Sequence, residues 1–368
     1  MQPAWALPKL LWLLRDHADL VPHARLAHQS DVVTSRLVGA PVATDLSNAL
    51  KTGAHLIHET WPADVFDALG VPAEILPPLV RPGTQIGVVG AAAAEETGLH
   101  AGTPVVAGAT DGCAAQLGAG VLRPGSWNSV LGTTLVLKGV SRELVRDPSG
   151  AVYSHKAPNG DWLPGGASST GAGAISRDFP GADLDDLNRR AGEYEPSTAL
   201  AYPLVSTGER FPFVAPQAEG FLLGTPADDG DRFAAVLQGV AFVERLCFDH
   251  LDLLGAPLDG DLVLTGGATR SAYWCRLRAD VLSRPITLPD NAEPALGMAV
   301  LAASPGRDAA DVAAGMVRVR EVVEPSPGGA GRFTEPYVRF VDELERRGWL
   351  PPETARHARV RAAKENAP

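Results

Sequence analysis

Cysteine is scarce in this chain. Only Cys113, Cys247 and Cys275 occur in 368 residues, and none stands at a metal-ligand or redox spacing from another. A disulfide framework and a cysteine-held metal are thereby argued against, and the three thiols read as reduced residues of a cytoplasmic protein. A dense Lys/Arg block is also missing. With 32 basic against 43 acidic side chains, the net charge is −11. That balance speaks against a nucleic-acid or anionic-membrane surface and leaves room only for a local phosphate pocket. No long apolar run occurs. The patch Leu10 to Leu14 is bracketed by Lys9, Arg15 and Asp16. It is too short to span a bilayer and lacks the build of a signal peptide, so it reads as part of an amphipathic helix from about Leu7 to Leu20. Aromatics make up 6%, and Trp5, Trp12, Trp61, Trp127, Trp162 and Trp274 form no stacking series for single-stranded nucleic acid. No internal repeat is visible.

What remains is ordinary for a soluble globular protein: 45% hydrophobic and 20% charged residues, in a length that accommodates two domains with cores. Asp31 to Leu56 suggests further helix, interrupted near Gly39 and Pro41, and a proline-rich connection follows. Thr84–Val89 and Pro104–Ala107 read as short strands, and Ser126–Gly139 as a hairpin turning at Gly132 to Thr134. A strand pair is expected at Val152–His155 and Trp162–Pro164. Helical patterns at Ser168–Arg177, Leu184–Arg190, Arg232–Leu254, Ala272–Leu282 and Ala295–Ala303 then alternate with the apolar runs Leu262–Leu264 and Ile286–Leu288. This succession predicts a mixed α/β sheet covered by helices. Beyond Pro305 a Gly/Pro-rich tail leads to one last amphipathic helix near Val338–Arg346.

The stretch VVAGATDGCAAQLGAG (residues 105–120) places a single carboxylate, Asp111, between an apolar strand and a helix of small residues. One reading is a helix N-cap, which accepts from the first free N–H groups. Two further turns follow strand-like runs: Gly132-Thr133-Thr134 and Thr265-Gly266-Gly267-Ala268-Thr269. Phosphates need inward-facing backbone N–H groups and little side-chain bulk, and glycine and threonine meet both needs. A lone carboxylate, then a hydroxyl-bearing loop, then a double glycine is the order that phosphoryl transfer requires.

Together with SVLGTTLVLKG, GERFPF and LVLTGGATRSAYWCRLRADVLSRPI, this stretch resembles the successive motifs of the FGGY carbohydrate kinases, from about residue 5 to residue 305. The resemblance implies the actin-like, ribonuclease-H-like α/β fold in two domains, the first incomplete. Residues 1–115 would be the partial sugar-side domain, 116–305 the nucleotide-side domain and 306–368 a tail with a final helix. It implies ATP and Mg²⁺ as cofactors, a small-molecule sugar as partner and a cytoplasmic location, and it leaves a homodimer open. NALKTG and VYSHKAPNGDWLPGGASSTGAG look most like the ketopentose branch, D-ribulose kinases first and D-xylulose kinases second. Asp111 would be the general base, and Gly132, Thr133 and Thr134 the phosphate loop. Gly266, Gly267, Ala268 and Thr269 would bind adenosine, although Ala268 and Thr269 add bulk where the family carries smaller residues. Lys51, with Asp111, would contact the sugar, or else it is a solvated helix lysine. Gly165 and Gly166 would join the domains. Glu209 and Arg210 match a signature or form a structural ion pair. His155 and His250 read as packing histidines.

One family element is missing from the sequence: the opening Asp-x-Gly-Thr phosphate loop. The chain is therefore expected to begin partway through the first domain, with strand edges and apolar helix faces exposed over residues 1–110. Either it is a fragment, or a non-catalytic remnant, or a second polypeptide supplies the rest.

Overall fold

A computed structural model describes residues 5–364; residues 1–4 and 365–368, the outer ends of the first and last expected segments, lie outside the described residues. Helix α1 (Ala6–Asp16) buries Leu7 and Leu10 against Phe66. It ends before the expected Leu20, because the chain tightens into a 3-10 turn, Ala18–His23, around Pro22. Helix α2 (Gln29–Val38) starts at a reciprocal cap between His28 and Asp31 and stops at Gly39, whose φ is +81°. The helix expected to run on towards Leu56 gives way to strand β1 (Thr44–Asp45), helix α3 (Leu46–Ala49) and a 3-10 turn, Leu50–Thr52. Pro41 denies the helix a donor, and the Asp45 side chain restarts it by accepting from the Ser47 and Asn48 N–H groups. Helix α4 (Ala63–Ala68) follows, then β2 (Leu79–Val80), parallel to β1. Strands β3 (Gln85–Val88) and β4 (Pro104–Val106) pair antiparallel around α5 (Ala91–Thr97), and α6 (Asp111–Gly118) follows β4.

Strands β5 (Trp127–Leu131) and β6 (Leu135–Gly139) form the expected hairpin. Strands β7 (Tyr153–Lys156) and β8 (Trp162–Ala167) come next. The helix read from Ser168 is confined to α7 (Gly173–Asp178), because Ser168 and Thr170 bond their backbones to Leu135. Beyond α8 (Leu184–Ala191) lies an unexpected antiparallel pair, β9 (Leu200–Tyr202) with β10 (Phe221–Leu223). Helix α9 (Asp229–Leu253) is buried along most of its 25 residues, including polar ones such as Asp231, Gln238, Glu244 and Arg245. Strand β11 (Leu262–Thr265), helix α10 (Ala272–Leu282), strand β12 (Ile286–Pro289) and helix α11 (Pro294–Ala302) occur where periodicity places them. The tail does so only in part. The helix expected near Val338–Arg346 is the second half of α13 (Gly329–Arg346), whereas α12 (Ala309–Met316), β13 (Val319–Val323) and α14 (Pro352–Lys364) are additions. Phe333, Tyr337, Phe340 and Leu344 recur every three to four residues on α13 and are all fully buried.

The main sheet runs β13-β12-β11-β5-β6-β8-β7, with β12, β11 and β5 parallel and β5, β6 and β8 antiparallel. The chain divides into two compact units. The first comprises Met1–Leu122, His155–Leu163 and Ala292–Met316; the second comprises Arg123–Ser154, Pro164–Asn291 and Val317–Pro368. This departs from the consecutive segments 1–115, 116–305 and 306–368. The reason lies in α11, which returns to the first unit to pack on α6 at paired glycines: a Cβ on Gly118 would lie 2.6 Å from the Glu293 carbonyl oxygen. The second unit has one large apolar core; the first holds clusters such as Leu7, Leu10, Phe66, Val71 and Ile75, and further buried side chains such as Leu46, Leu117, Val300 and Leu301. As expected for residues 1–110, apolar side chains stand exposed there, among them Trp12, Val32 and Val33. No helix among the described residues is long and apolar enough to cross a membrane.

Candidate active site

Asp111 stands at the first residue of α6, and Thr110 occupies the N-cap position without a side-chain cap bond. The N-cap reading of Asp111 is thus displaced by one residue. Its Oδ1 accepts from the Gly112 N–H at 2.7 Å, and the side chain is exposed at a helix N-terminus, which favours negative charge. The preceding loop is fixed at both ends. Ala107 exchanges backbone bonds with Gly83 and Thr84, and the Thr110 N–H donates to Ser47 Oγ at 2.8 Å. Lys51, in the 3-10 turn after α3, is exposed and makes no hydrogen bond or ion pair among the described residues. Both residues belong to the first unit.

The two glycine turns belong to the second unit, and there the structure brings them together. Strands β5 and β11 are parallel neighbours with Val130 opposite Thr265, so the turns after Leu131 and Thr265 leave the same end of the sheet. Gly266 is required at that junction: its φ is +91°, and a Cβ would stand 2.5 Å from the Leu131 carbonyl oxygen. In the turn Gly132–Thr134, the Gly132 N–H donates back to the Thr134 carbonyl, while the amides of Thr133 and Thr134 donate to nothing among the described residues. Thr133 is exposed. Behind the turn, the Ala172 and Gly173 N–H groups donate to the Gly132 and Thr133 carbonyls, and a Cβ on Gly171 would meet the Thr133 oxygen at 2.5 Å. Ala268 adds no bulk to the exposed face, because its methyl is buried in the core; the Thr269 hydroxyl folds back onto the Gly266 carbonyl at 2.8 Å.

Beneath the turns, Thr265 Oγ1 donates to Asn128 Oδ1 across the two strands. Ser129 Oγ donates to Glu244, which pairs with the fully buried Arg278 at 2.7 and 2.8 Å. Glu209 forms no ion pair with Arg210. Its buried carboxylate accepts from the Ser169 and Arg210 N–H groups and from the Ser168 and Tyr202 hydroxyls, while Arg210 Nε donates to the Ala167 carbonyl. Burial pushes the Glu209 carboxyl above its ordinary range against the pull of those donors. Gly165 and Gly166 lie within β8, where Gly166 faces the Phe211 ring. His155 and His250 are buried; burial holds the His250 imidazole below its ordinary range although Asp147 lies 3.5 Å away.

Sequence reasoning passed over Ser47, Asp45, Gly171 and Gly173. The run TDLSNA and the alternating glycines of TGAGA are their local signals, but the partners that give them meaning are distant in the chain. Cavities of about 460 Å³ beside Tyr202 and Arg232, and of about 610 Å³ beside Val32 and Pro78, contain none of the candidate residues.

Known proteins resemble this chain over most of its length. The chain is 32% identical over 321 residues to a xylulose kinase of Streptomyces coelicolor, covering 84% of this chain and 64% of that protein. It is 29% identical to an autoinducer-2 kinase of Escherichia coli, covering 81% and 60%. A solved xylulose kinase from Rhodospirillum rubrum superposes with a TM-score of 0.82 at 27% identity, covering 94% of this chain and 72% of the other. The chain spans about six tenths of the length of the curated relatives it matches. Its fold is the actin-like, ribonuclease-H-like one of the sugar kinases. The N-terminal domain of the FGGY family of carbohydrate kinases matches residues 1–118 and the C-terminal domain residues 128–305, and the chain belongs to that family.

Proposed function

We propose that this chain acts as an ATP-dependent carbohydrate kinase on a ketopentose, with D-xylulose ahead of D-ribulose. The observation that carries the reading is the pair of adjoining turns, Gly132–Thr134 and Gly266–Thr269, on parallel strands with two backbone amides left to donate. D-xylulose takes first place because relatives named for it match over most of this chain, and none of the relatives described above is named for D-ribulose.

In this reading Asp111 takes the proton of a sugar hydroxyl as that oxygen attacks the γ-phosphorus, and the bridging oxygen leaves on ADP. The Thr133 and Thr134 amides and hydroxyls hold the terminal phosphates, and Gly266 and Gly267 give the adenosine a flat approach. Such transfer depends on alignment and on neutralising charge. Mg²⁺ enters this scheme as part of the MgATP substrate. Lys51, exposed one turn beyond Ser47, is assigned to the sugar. A second reading, nucleotide binding without turnover, draws on the six-tenths coverage of the relatives.

The test is ADP release with MgATP and a panel of D-xylulose, D-ribulose, gluconate and autoinducer-2. Sugar-dependent turnover should fall by at least about 10²-fold in Asp111→Asn, the contribution of a general base, with ATP affinity unchanged within about twofold. Full turnover in that variant would refute the assignment. ATP binding with no turnover in the parent chain would establish the second reading.

A further inference from the structure

The exposed Asp111 carboxylate takes its position from the loop before it, and that loop is held by a buried polar relay. Asp45 and Ser47 are each 2% exposed. Asp45 Oδ1 accepts from the Ser47 N–H at 2.8 Å, the Asn48 N–H at 3.1 Å and the Ser47 hydroxyl at 2.5 Å; Oδ2 accepts from Asn48 Nδ2 at 2.6 Å. The direction of the relay follows. Asp45 gathers donors, so the single proton of Ser47 Oγ goes to it, and the oxygen's lone pairs are left to accept. What they accept is the Thr110 N–H, 63 residues further along the chain and one residue before Asp111. Thr110 is the residue from which α6 starts, and no side chain caps it. Ser47 thus satisfies a backbone donor at the one point where the loop turns into the helix.

We propose that Ser47, oriented by Asp45, is a positioning residue for Asp111. The proposal rests on Asp111 being the base, as read above. From behind, α6 is held by its glycine contact with the start of α11. At its front end the Ser47 bond sets the direction in which the Thr110 peptide leaves the loop. Without it the first turn of α6 can shift, and a displacement of about 1 Å at a reacting group costs about 10²-fold in rate. Lys51 lies on the turn that continues α3, so the same four-residue helix anchors the sugar-side lysine and the loop of the base.

Two measurements on Ser47→Ala, Ser47→Thr, Asp111→Asn and the Ser47→Ala/Asp111→Asn double variant test this. The first is the exchange rate of the Thr110 amide by NMR; the second is kcat, with the KM for ATP and for sugar. Ser47→Ala should speed Thr110 exchange at least about tenfold and lower kcat by about 10- to 100-fold, with the KM for ATP changed less than about threefold. Ser47→Thr, which keeps the oxygen, should restore both, and the double variant should be no slower than Asp111→Asn. Unchanged Thr110 exchange overturns the relay. So does unchanged kcat in Ser47→Ala alongside loss in Asp111→Asn, an outcome that leaves the base in place. Full turnover in Asp111→Asn, or none in the parent chain, removes the kinase reading and with it any positioning role.

Discussion

Glu209 takes donors and no cation: the Ser169 and Arg210 N–H groups on Oε1, with the Phe211 N–H at 3.5 Å, and two hydroxyls on Oε2. Such a site presents donors to both oxygens. In Glu209→Gln the amide NH₂ must face one pair of donors. It faces the Ser168 and Tyr202 hydroxyls, which can rotate where backbone amides cannot, although Ser168 Oγ already accepts from the Thr170 N–H. We expect a loss of about 1–3 kcal/mol in urea unfolding. The pH dependence adds a sign. The folded carboxyl is raised above the ordinary value of 4.5, so the stability it contributes is complete below that value and is lost as pH rises through the raised one. The gap between parent and variant should therefore be widest below about pH 4.5 and narrow as pH rises through the raised value. A gap that widens with pH would mean that the donors, not burial, dominate this carboxyl.

Strand β5 joins the parallel half of the sheet to the antiparallel half and carries the turn read as the phosphate loop. Ser129, Glu244 and Arg278 lock it from beneath to α9 and α10, with all three side chains buried. Removing one partner strands the other. Arg278→Met should cost about 3–5 kcal/mol, whereas Glu244→Met/Arg278→Met should cost clearly less, because neither member of the pair is left buried without the other. Equal losses by urea titration would show that packing volume, not charge pairing, is what the site supplies. This triad also marks the limit of what the sequence reveals. The hairpin, the glycine turns and the Asp111 loop were legible because glycine, threonine and apolar runs declare themselves within ten residues. Ser129 with Arg278, like Ser47 with Thr110, is a pair made by folding, and nothing beside either residue announces its partner. The tail was read only in part, for a related reason: its glycines and prolines sit between elements, while β13 gains its place by pairing with β12.

Across the whole chain, apolar burial is unequally shared. In the second unit, residues from Trp127 to Ala362 contribute to one continuous core, and α9 runs through it almost wholly buried. In the first unit, β1 and β2 are two residues long and, among the described residues, pair with no other strand, the clusters around Phe66 and Val105 are small, and Val32 and Val33 on α2 are 51% and 59% exposed. Local opening costs what local burial supplies, so the two units should open at different free energies. Native-state hydrogen exchange tests this on the intact chain. Amides of α2 and β1 to β4 should exchange at least about a hundredfold faster than those of α9, β5 and β11. Helix α6 should be the exception in its unit, because α11 packs on it at backbone distance through Gly118 and Gly297. Gly118→Val, which drives a side chain into the Glu293 carbonyl, should remove that exception and bring α6 to the rate of β4. Uniform protection across both units would show that the first unit draws its stability from something other than the burial within it, and slow exchange in α6 after Gly118→Val would show that the glycine contact is not what holds the helix that begins with Asp111.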